Sequence, residues 1–211
     1  MIPNKPFSES CEQNRLPIRQ VLSRYVEGRR TLLEIGSGTG QHAIYFAAEF
    51  PWLVWQTSDL EQQHSGIAAW IRDSGLYNVL YPLTLDAAGD WPSQQYDLLF
   101  SANTLHIMSE PAAEGFMRKV SGCMHAQSVL IVYGPFNYQN RYTSDSNARF
   151  DQWLKQRDPA SGIKNFEWLK DIAELSGLEC IEDIAMPANN RILVWHKTDD
   201  AKSRETKSDI A

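Results

Sequence analysis

The sequence is short of cysteine, of long apolar runs and of positive charge, and each shortage removes a class of protein. Three cysteines stand among 211 residues, Cys11, Cys123 and Cys180, far apart and without a C-x-x-C pair. A disulfide framework or a cysteine-built zinc site needs more of them at closer spacing, so a reducing compartment is expected. No stretch approaches the ~20 apolar residues of a membrane-crossing helix, and the richest, residues 43–55, is broken by Glu49 and Pro51. The first seven residues carry no basic region followed by an apolar one, so no secretory signal is expected and the location predicted is cytoplasmic. With 20 Lys and Arg against 26 Asp and Glu, the net charge is −6 and the pI about 5.4. That field repels phosphate backbones and counts against nucleic-acid binding. The histidines, His42, His64, His106, His125 and His196, form no H-x-x-x-H pair, so no metal site is expected.

What is present is a globular mixture, 43% apolar and 22% charged. Residues 1–197 read as a single α/β domain, with 1–28 as a candidate lid. Residues 198–211 hold one large apolar side chain, Ile210, and are predicted to be a disordered polar tail. Ile18, Val21, Leu22, Tyr25 and Val26 share a helical face, with Pro17 in the first turn and Gly28 as the stop. Strands are predicted at 31–35, 53–57, 79–85, 96–101, 129–133, 178–185 and 191–196, the last two joined by a turn at 186–190. Helical stripes fall between them: Ala43 to Ala47, Gly66 to Arg72, Phe116 with Val120, Cys123 and Met124, then around Trp153 and around Leu169. Such alternation predicts a mostly parallel sheet covered by helices on both faces. The seven tryptophans lie mostly in apolar stripes and read as core.

The stretch Glu34-Ile-Gly36-Ser37-Gly38-Thr-Gly40 directly follows the first strand. Glycines there let the backbone turn sharply and approach a ligand at the carboxyl ends of the strands. A phosphate-binding P-loop would need Gly-Lys-Ser/Thr, but Gly40 is followed by Gln41 and His42. A dinucleotide fingerprint would need glycine or alanine at position 41, and no tyrosine has lysine four residues on, as a short-chain oxidoreductase requires. That reading stays a minor alternative. The third form, an acid followed by G-x-G-x-G, resembles the first motif of class I methyltransferases that use S-adenosyl-L-methionine, and Glu34 supplies the acid. Asp59, followed by Leu60, lies 59 − 40 = 19 residues beyond Gly40, near the spacing at which an acid meets a ribose diol; it suits a helix N-cap as well. Asp86 ends the third strand and reads either as an acceptor for an adenine amino group or as a turn aspartate. Asn103 follows the fourth strand, where the resemblance to those methyltransferases implies the methionine side of the cofactor.

The whole chain resembles a small family of uncharacterised methyltransferase-like proteins of bacteria and animals, the methyltransferase-like 26 type. The segments that carry the resemblance run in order: Glu12-Gln-Asn14-Arg15-Leu-Pro-Ile18, Leu33 to His42, Trp55 to Asp59, Asn103-Thr-Leu-His106 and Tyr133-Gly-Pro-Phe136. Ser146-Asn147, Phe150-Asp151, Arg157-Asp-Pro159, Gly162-Ile163 and Met186-Pro-Ala-Asn-Asn190 follow. The resemblance implies a Rossmann-like class I methyltransferase fold with seven strands, the last antiparallel, and S-adenosyl-L-methionine as cofactor. It implies no particular acceptor. One departure is Asn140, in a stretch where relatives often carry glycine.

Methyl transfer from a sulfonium needs alignment and exclusion of water rather than a protein nucleophile. The fourth strand lacks the Asn/Asp-Pro-Pro-Tyr/Phe of enzymes that methylate base amino groups, and no cysteine follows proline as in cytosine-C5 enzymes. The expected acceptor is therefore a small molecule or a protein side chain. His106 and Tyr133, both at strand ends, are the candidate catalytic residues; each also reads as a packed core residue. Asn14, Arg15, Asn147, Asn189 and Asn190 are candidates for the acceptor side, with helix-start and turn roles as the plainer readings. A non-catalytic module that binds the cofactor as a sensor or partner subunit fits the same residues.

Overall fold

Strands buried on both faces carry unbroken apolar sequence, and Leu32 and Leu33 show why. In the computed structural model, which describes residues 5–198, Leu32 packs into one core cluster and Leu33 into the other, and both are fully buried. They belong to β1 (Thr31–Ile35), an interior strand of a seven-stranded sheet. The others are β2 (Val54–Asp59), β3 (Val79–Thr84), β4 (Tyr96–Ala102), β5 (Met124–Gly134), β6 (Leu178–Met186) and β7 (Asn190–Lys197). Their order is β3-β2-β1-β4-β5-β7-β6. Neighbours among β1 to β5 pair in parallel, whereas β7 runs antiparallel to both β5 and β6. The expected mostly parallel sheet with an antiparallel last strand is the fold observed.

One face is covered by α1 (Glu9–Leu22), α2 (Gln41–Glu49) and α3 (His64–Ser74), through Ile18, Phe46 and Ile67 among others. The other face is covered by α4 (Glu110–Lys119) and α6 (Phe166–Leu175), through Phe116 and Leu169. The helix α5 (Asp145–Arg157) joins neither cluster and lies at the carboxyl edge of the sheet. Strand order reverses between β1 and β4, which opens a crevice there for a ligand.

Three expectations need correction. First, α1 begins at Glu9, so Pro17 sits inside the helix rather than in its first turn. The bond lost at Pro17 is offset by polar ties that fix the earlier turns. Ser8 N donates to Gln41 Oε1, and Gln41 Nε2 donates to Ser8 O and to Glu12 Oε1. Second, the helix ends at Leu22, not at Gly28, which lies in the turn leading to β1; Tyr25 and Val26 are buried from a non-helical segment. Third, Met124 begins β5 instead of closing a helix. The helix α4 stops at Lys119, a short 3-10 turn takes Val120–Cys123, and a register shift against β4 admits the polar residues up to Gln127. Asn140 adopts φ +59°, in the left-handed region that asparagine tolerates better than most residues and glycine favours.

Among the described residues no helix is long and apolar enough to cross a membrane. Of the predicted tail only Thr198 is described; the rest lies outside the described residues.

Candidate functional site

The loop between β1 and α2 is tied to the end of β2 by its own amides. Gly36 N and Ser37 N both donate to Ser58 O, at 3.0 and 2.9 Å, and Ser37 Oγ accepts from Ser58 N at 3.2 Å. Gly36 takes φ +76°, and a Cβ there would stand 2.5 Å from Thr104 Cγ2, so the close approach to β4 admits only glycine. At Gly38, with φ +58°, an added Cβ would meet nothing within 4 Å, and the loop faces open space.

Asp59 braces this loop from β2. Its Oδ2 accepts from Gly38 N and its Oδ1 from Leu60 N, both at 2.7 Å, which leaves a lone pair on each oxygen for a further donor. Its side chain caps no helix, because the 3-10 turn that follows has Leu60 at its N-cap position. Burial raises the Asp59 pKa, against the pull of those two amides. Asp86 Oδ1 accepts from Ala88 N at 2.9 Å, the turn bond expected of such an aspartate. Asn103 has φ +58° and donates its amide to Tyr133 O, a strained backbone held at the end of β4.

Across the crevice stand His106 and Tyr133. His106 is buried, and burial together with the Lys164 cation lowers its pKa to about 4, so it is neutral at pH 7. Its ring meets Phe150 edge-on at 5.2 Å. Burial raises the pKa of Tyr133, while a hydrogen bond with the Asn14 side chain opposes the rise. Asn14 in turn lies 2.7 Å through Oδ1 from His42 Nε2. Asn14 has no proton on that oxygen, so His42 carries its proton on Nε2. Burial lowers the His42 pKa to about 4 as well. Its other nitrogen, Nδ1, sits 4.0 Å from Cys11 Sγ. Thus α1 reaches the site through Cys11 and Asn14.

These groups border a cavity of about 1100 Å³ at the carboxyl ends of β1 to β5. Gly36, Ser37, Gly38, Asp59, Leu60, Asp86 and Asn103 lie on one part of its wall. His106, Tyr133, Asn14, Asn147 and Asn190 lie elsewhere on it. Four predicted residues are not on the wall. Glu34 is 2% exposed beneath the loop, with Oε2 accepting from Trp55 Nε1 at 3.0 Å, and burial pushes its pKa up to about 7. Gly40 packs against α3, where a Cβ would stand 3.1 Å from Ile67 Cα. Arg15 pairs with Glu12 at 2.7 Å and covers the Tyr45 ring at 4.8 Å. Asn189 turns its amide to Ser146 Oγ, while its carbonyl accepts from Asn147 Nδ2 at 3.1 Å. That pair ties α5 to the turn between β6 and β7.

Several wall or supporting residues were missed from sequence. His42 was given no role in the site, although its place two residues after the glycine loop was a usable signal. Lys164 is buried and donates through Nζ to Met108 O at 2.7 Å and Gly162 O at 2.8 Å, joining the segment after β4 to the one before α6. Burial lowers its pKa to about 8. Nothing in its local sequence marks it. Phe150, Trp153 and Arg157 line the wall from α5 at helical spacing. Among the described residues no group of three or more His, Cys, Asp or Glu side chains is placed to hold a metal ion.

A family model described as "Protein of unknown function (DUF938)" matches residues 5–197. The fold also matches solved structures. An O-methyltransferase family protein from Burkholderia thailandensis superposes with a TM-score of 0.77 at 16% identity, over 88% of this chain and 56% of that one. The mitomycin 7-O-methyltransferase MmcR gives a TM-score of 0.75 at 19% identity, over 87% and 54%. PigF, solved with SAH, gives 0.71 at 16%, over 90% and 62%. The chain therefore spans between about half and two thirds of each of these proteins. At such identities the likeness is one of fold, a Rossmann-like methyltransferase domain.

Proposed function

The chain belongs to the DUF938 family, and on that premise we propose that it is an S-adenosylmethionine-dependent methyltransferase of the methyltransferase-like 26 type, acting on a small molecule or a protein side chain. The observation that carries this reading is the pairing of the Gly36–Gly40 loop with Asp59 at the β1/β4 reversal. The loop leaves open space at Gly38, and the Asp59 carboxylate keeps a free lone pair on each oxygen. That donor set fits an adenosine ribose, whose two hydroxyls both donate. It contains no cation to meet a pyrophosphate.

When bound, the cofactor supplies an electrophilic methyl group on a sulfonium. The chain's part is to hold and orient. Asp59 accepts from the ribose, and Asp86 stands on the same part of the wall for the adenine amino group. Asn103, with its fixed backbone, shapes the methionine side. His106 enters neutral and serves as a hydrogen-bond acceptor for the incoming nucleophile. Tyr133, whose pKa burial raises, keeps its proton and lines the same cavity. Closure by α1 through Asn14 and Cys11 excludes water from the reacting atoms.

Calorimetry on the full chain tests the binding half: S-adenosylhomocysteine should bind, and NAD should bind more weakly. Detection of NAD binding alone would overturn the assignment. Transfer of labelled methyl to any member of a metabolite and peptide panel then distinguishes an enzyme from a sensor, which would bind the cofactor and transfer nothing.

A further inference from the structure

Four charged side chains stand on the cavity wall, Asp59, Asp86, Arg157 and Asp158. Asp59 and Asp86 belong to the end made by the glycine loop and the ends of β2 and β3. Arg157, at the last turn of α5, belongs to the other end. The neighbouring acid, Asp158, is turned into its own backbone, with Oδ1 accepting from Ala160 N at 2.9 Å. Among the described residues no carboxylate lies within 4 Å of the Arg157 guanidinium.

That guanidinium is nevertheless held. Phe150, Trp153 and Arg157 stand at i, i+3 and i+7 on α5 and form a column. The Phe150 and Trp153 rings stack at 5.7 Å, and the Arg157 guanidinium lies over the Trp153 ring at 4.6 Å. The Trp153 side chain stays 47% exposed, and the guanidinium resting on it presents its N–H edge to a ligand. An exposed planar cation resting on a ring, with its N–H fork unclaimed, matches a carboxylate bidentately. The other polar groups at this end, Ser146, Asn147, Ser161 and Asn190, are neutral, and Ile107 and Met108 supply apolar wall. The cavity, at about 1100 Å³, exceeds the roughly 300–1,000 Å³ usual for one small ligand, and so has room for an acceptor beside a cofactor.

We propose that the methyl acceptor is a carboxylate-bearing small molecule whose anionic end is held by Arg157. This rests on the methyltransferase reading for the word acceptor, but the anion site itself is separately testable. The acids at the glycine-loop end face a cofactor that carries a sulfonium, and Arg157, with Asp158 Oδ1 engaged by Ala160 N, is the one cation among the described wall residues to face an anion. The carboxylate is a recognition group, and the sequence had offered only Arg15 for such a role, which the fold turns toward Glu12 and Tyr45.

The test titrates three acids, 4-hydroxybenzoate, 4-hydroxycinnamate and 2-hydroxyisocaproate, and the neutral carboxamide of each, into the full chain with and without S-adenosylhomocysteine. At least one acid should bind ten-fold or more tightly than its amide. Arg157→Gln should abolish that preference while leaving S-adenosylhomocysteine affinity unchanged, and Arg157→Lys should keep part of it. Three acid–amide pairs of equal affinity would overturn the proposal. So would an Arg157→Gln variant that loses S-adenosylhomocysteine affinity as strongly as acid affinity, because Arg157 would then read the cofactor's own carboxylate. If the acids discriminate through Arg157 but S-adenosylhomocysteine does not bind at all, the anion site stands and the methyltransferase reading falls.

Discussion

Replacing Glu34 by Gln should stabilise the protein at pH 8 far more than at pH 5. Glu34 is a carboxyl with 2% exposure under the glycine loop, and burial raises its pKa from 4.5 to about 7. Between those two values the folded protein holds a proton that the unfolded chain has released. The stability it contributes is full below pH 4.5, falls as pH rises through the window, and is gone above pH 7. A displacement of about 2.5 pKa units corresponds to roughly 3 kcal/mol. Gln has no charge to bury, and its Oε1 still accepts from the Trp55 indole, which now donates to the carboxylate at 3.0 Å. Urea denaturation of both proteins at pH 5 and pH 8 measures the difference. The advantage of Glu34→Gln at pH 8 should exceed its advantage at pH 5 by about 2–3 kcal/mol. Titration of His42 and His106 affects both proteins alike and cancels. A difference between the variants that does not change with pH would refute the reasoning.

Asp59→Ala should weaken S-adenosylhomocysteine binding about 10- to 150-fold, the loss of roughly 1.5–3 kcal/mol expected when bonds to a charged group are removed. Asp59→Asn should fall between, and calorimetry on the folded variants reads both; an unchanged affinity in the alanine variant would remove the ribose role. Gly36→Ala forces a side chain into φ +76° and against Thr104. It should cost about 2–4 kcal/mol and lower the melting temperature by roughly 5–15 °C. His42 and His106, both lowered to about 4 by burial, are neutral in the fold and charge more readily in the unfolded chain. The stability they confer is complete above pH 6.5 and is lost as pH falls toward 4, about 3 kcal/mol for each. A double replacement by Gln should flatten the acid limb of the stability curve measured by denaturant titration.

The sheet was legible because its strands combine apolar sequence with punctuation, and the glycine loop was legible because it follows a strand directly. The edges of elements were less so. The start of α1 is set by Gln41, 33 residues away from Ser8, through bonds that no local pattern shows. The start of β5 depends on a register shift against β4. Within the site, most residues on strand ends and in the loop fell on the cavity wall, but Glu34 and Gly40 did not. With β1 covered on both sides, its alternation does not reveal which side chain faces a ligand. Lys164 was invisible, and Arg157, named in one of the segments that carry the resemblance, was given no role, for a different reason. Their surroundings come from segments joined only by the folding of α5 across the sheet edge, and charge alone does not distinguish a wall residue from a solvated one.

The place of β7 between β5 and β6 also sets an order of assembly. In the sheet β6 bonds only to β7, which is made after it, and β7 fills the outer edge of β5. On a ribosome adding about 5–20 residues per second, the 20 residues from the start of β6 to the end of β7 take roughly 1–4 s to emerge. Throughout that interval β6 has no partner and β5 presents an open apolar edge. The strands β1 to β4 and the glycine loop need nothing from this hairpin, so they are free to settle first. The turn that anchors Asn147 and steadies the Arg157 end arrives last. A nascent chain therefore completes the glycine-loop end of its cavity before the Arg157 end, and a truncation within β7 would strip two strands at once rather than one.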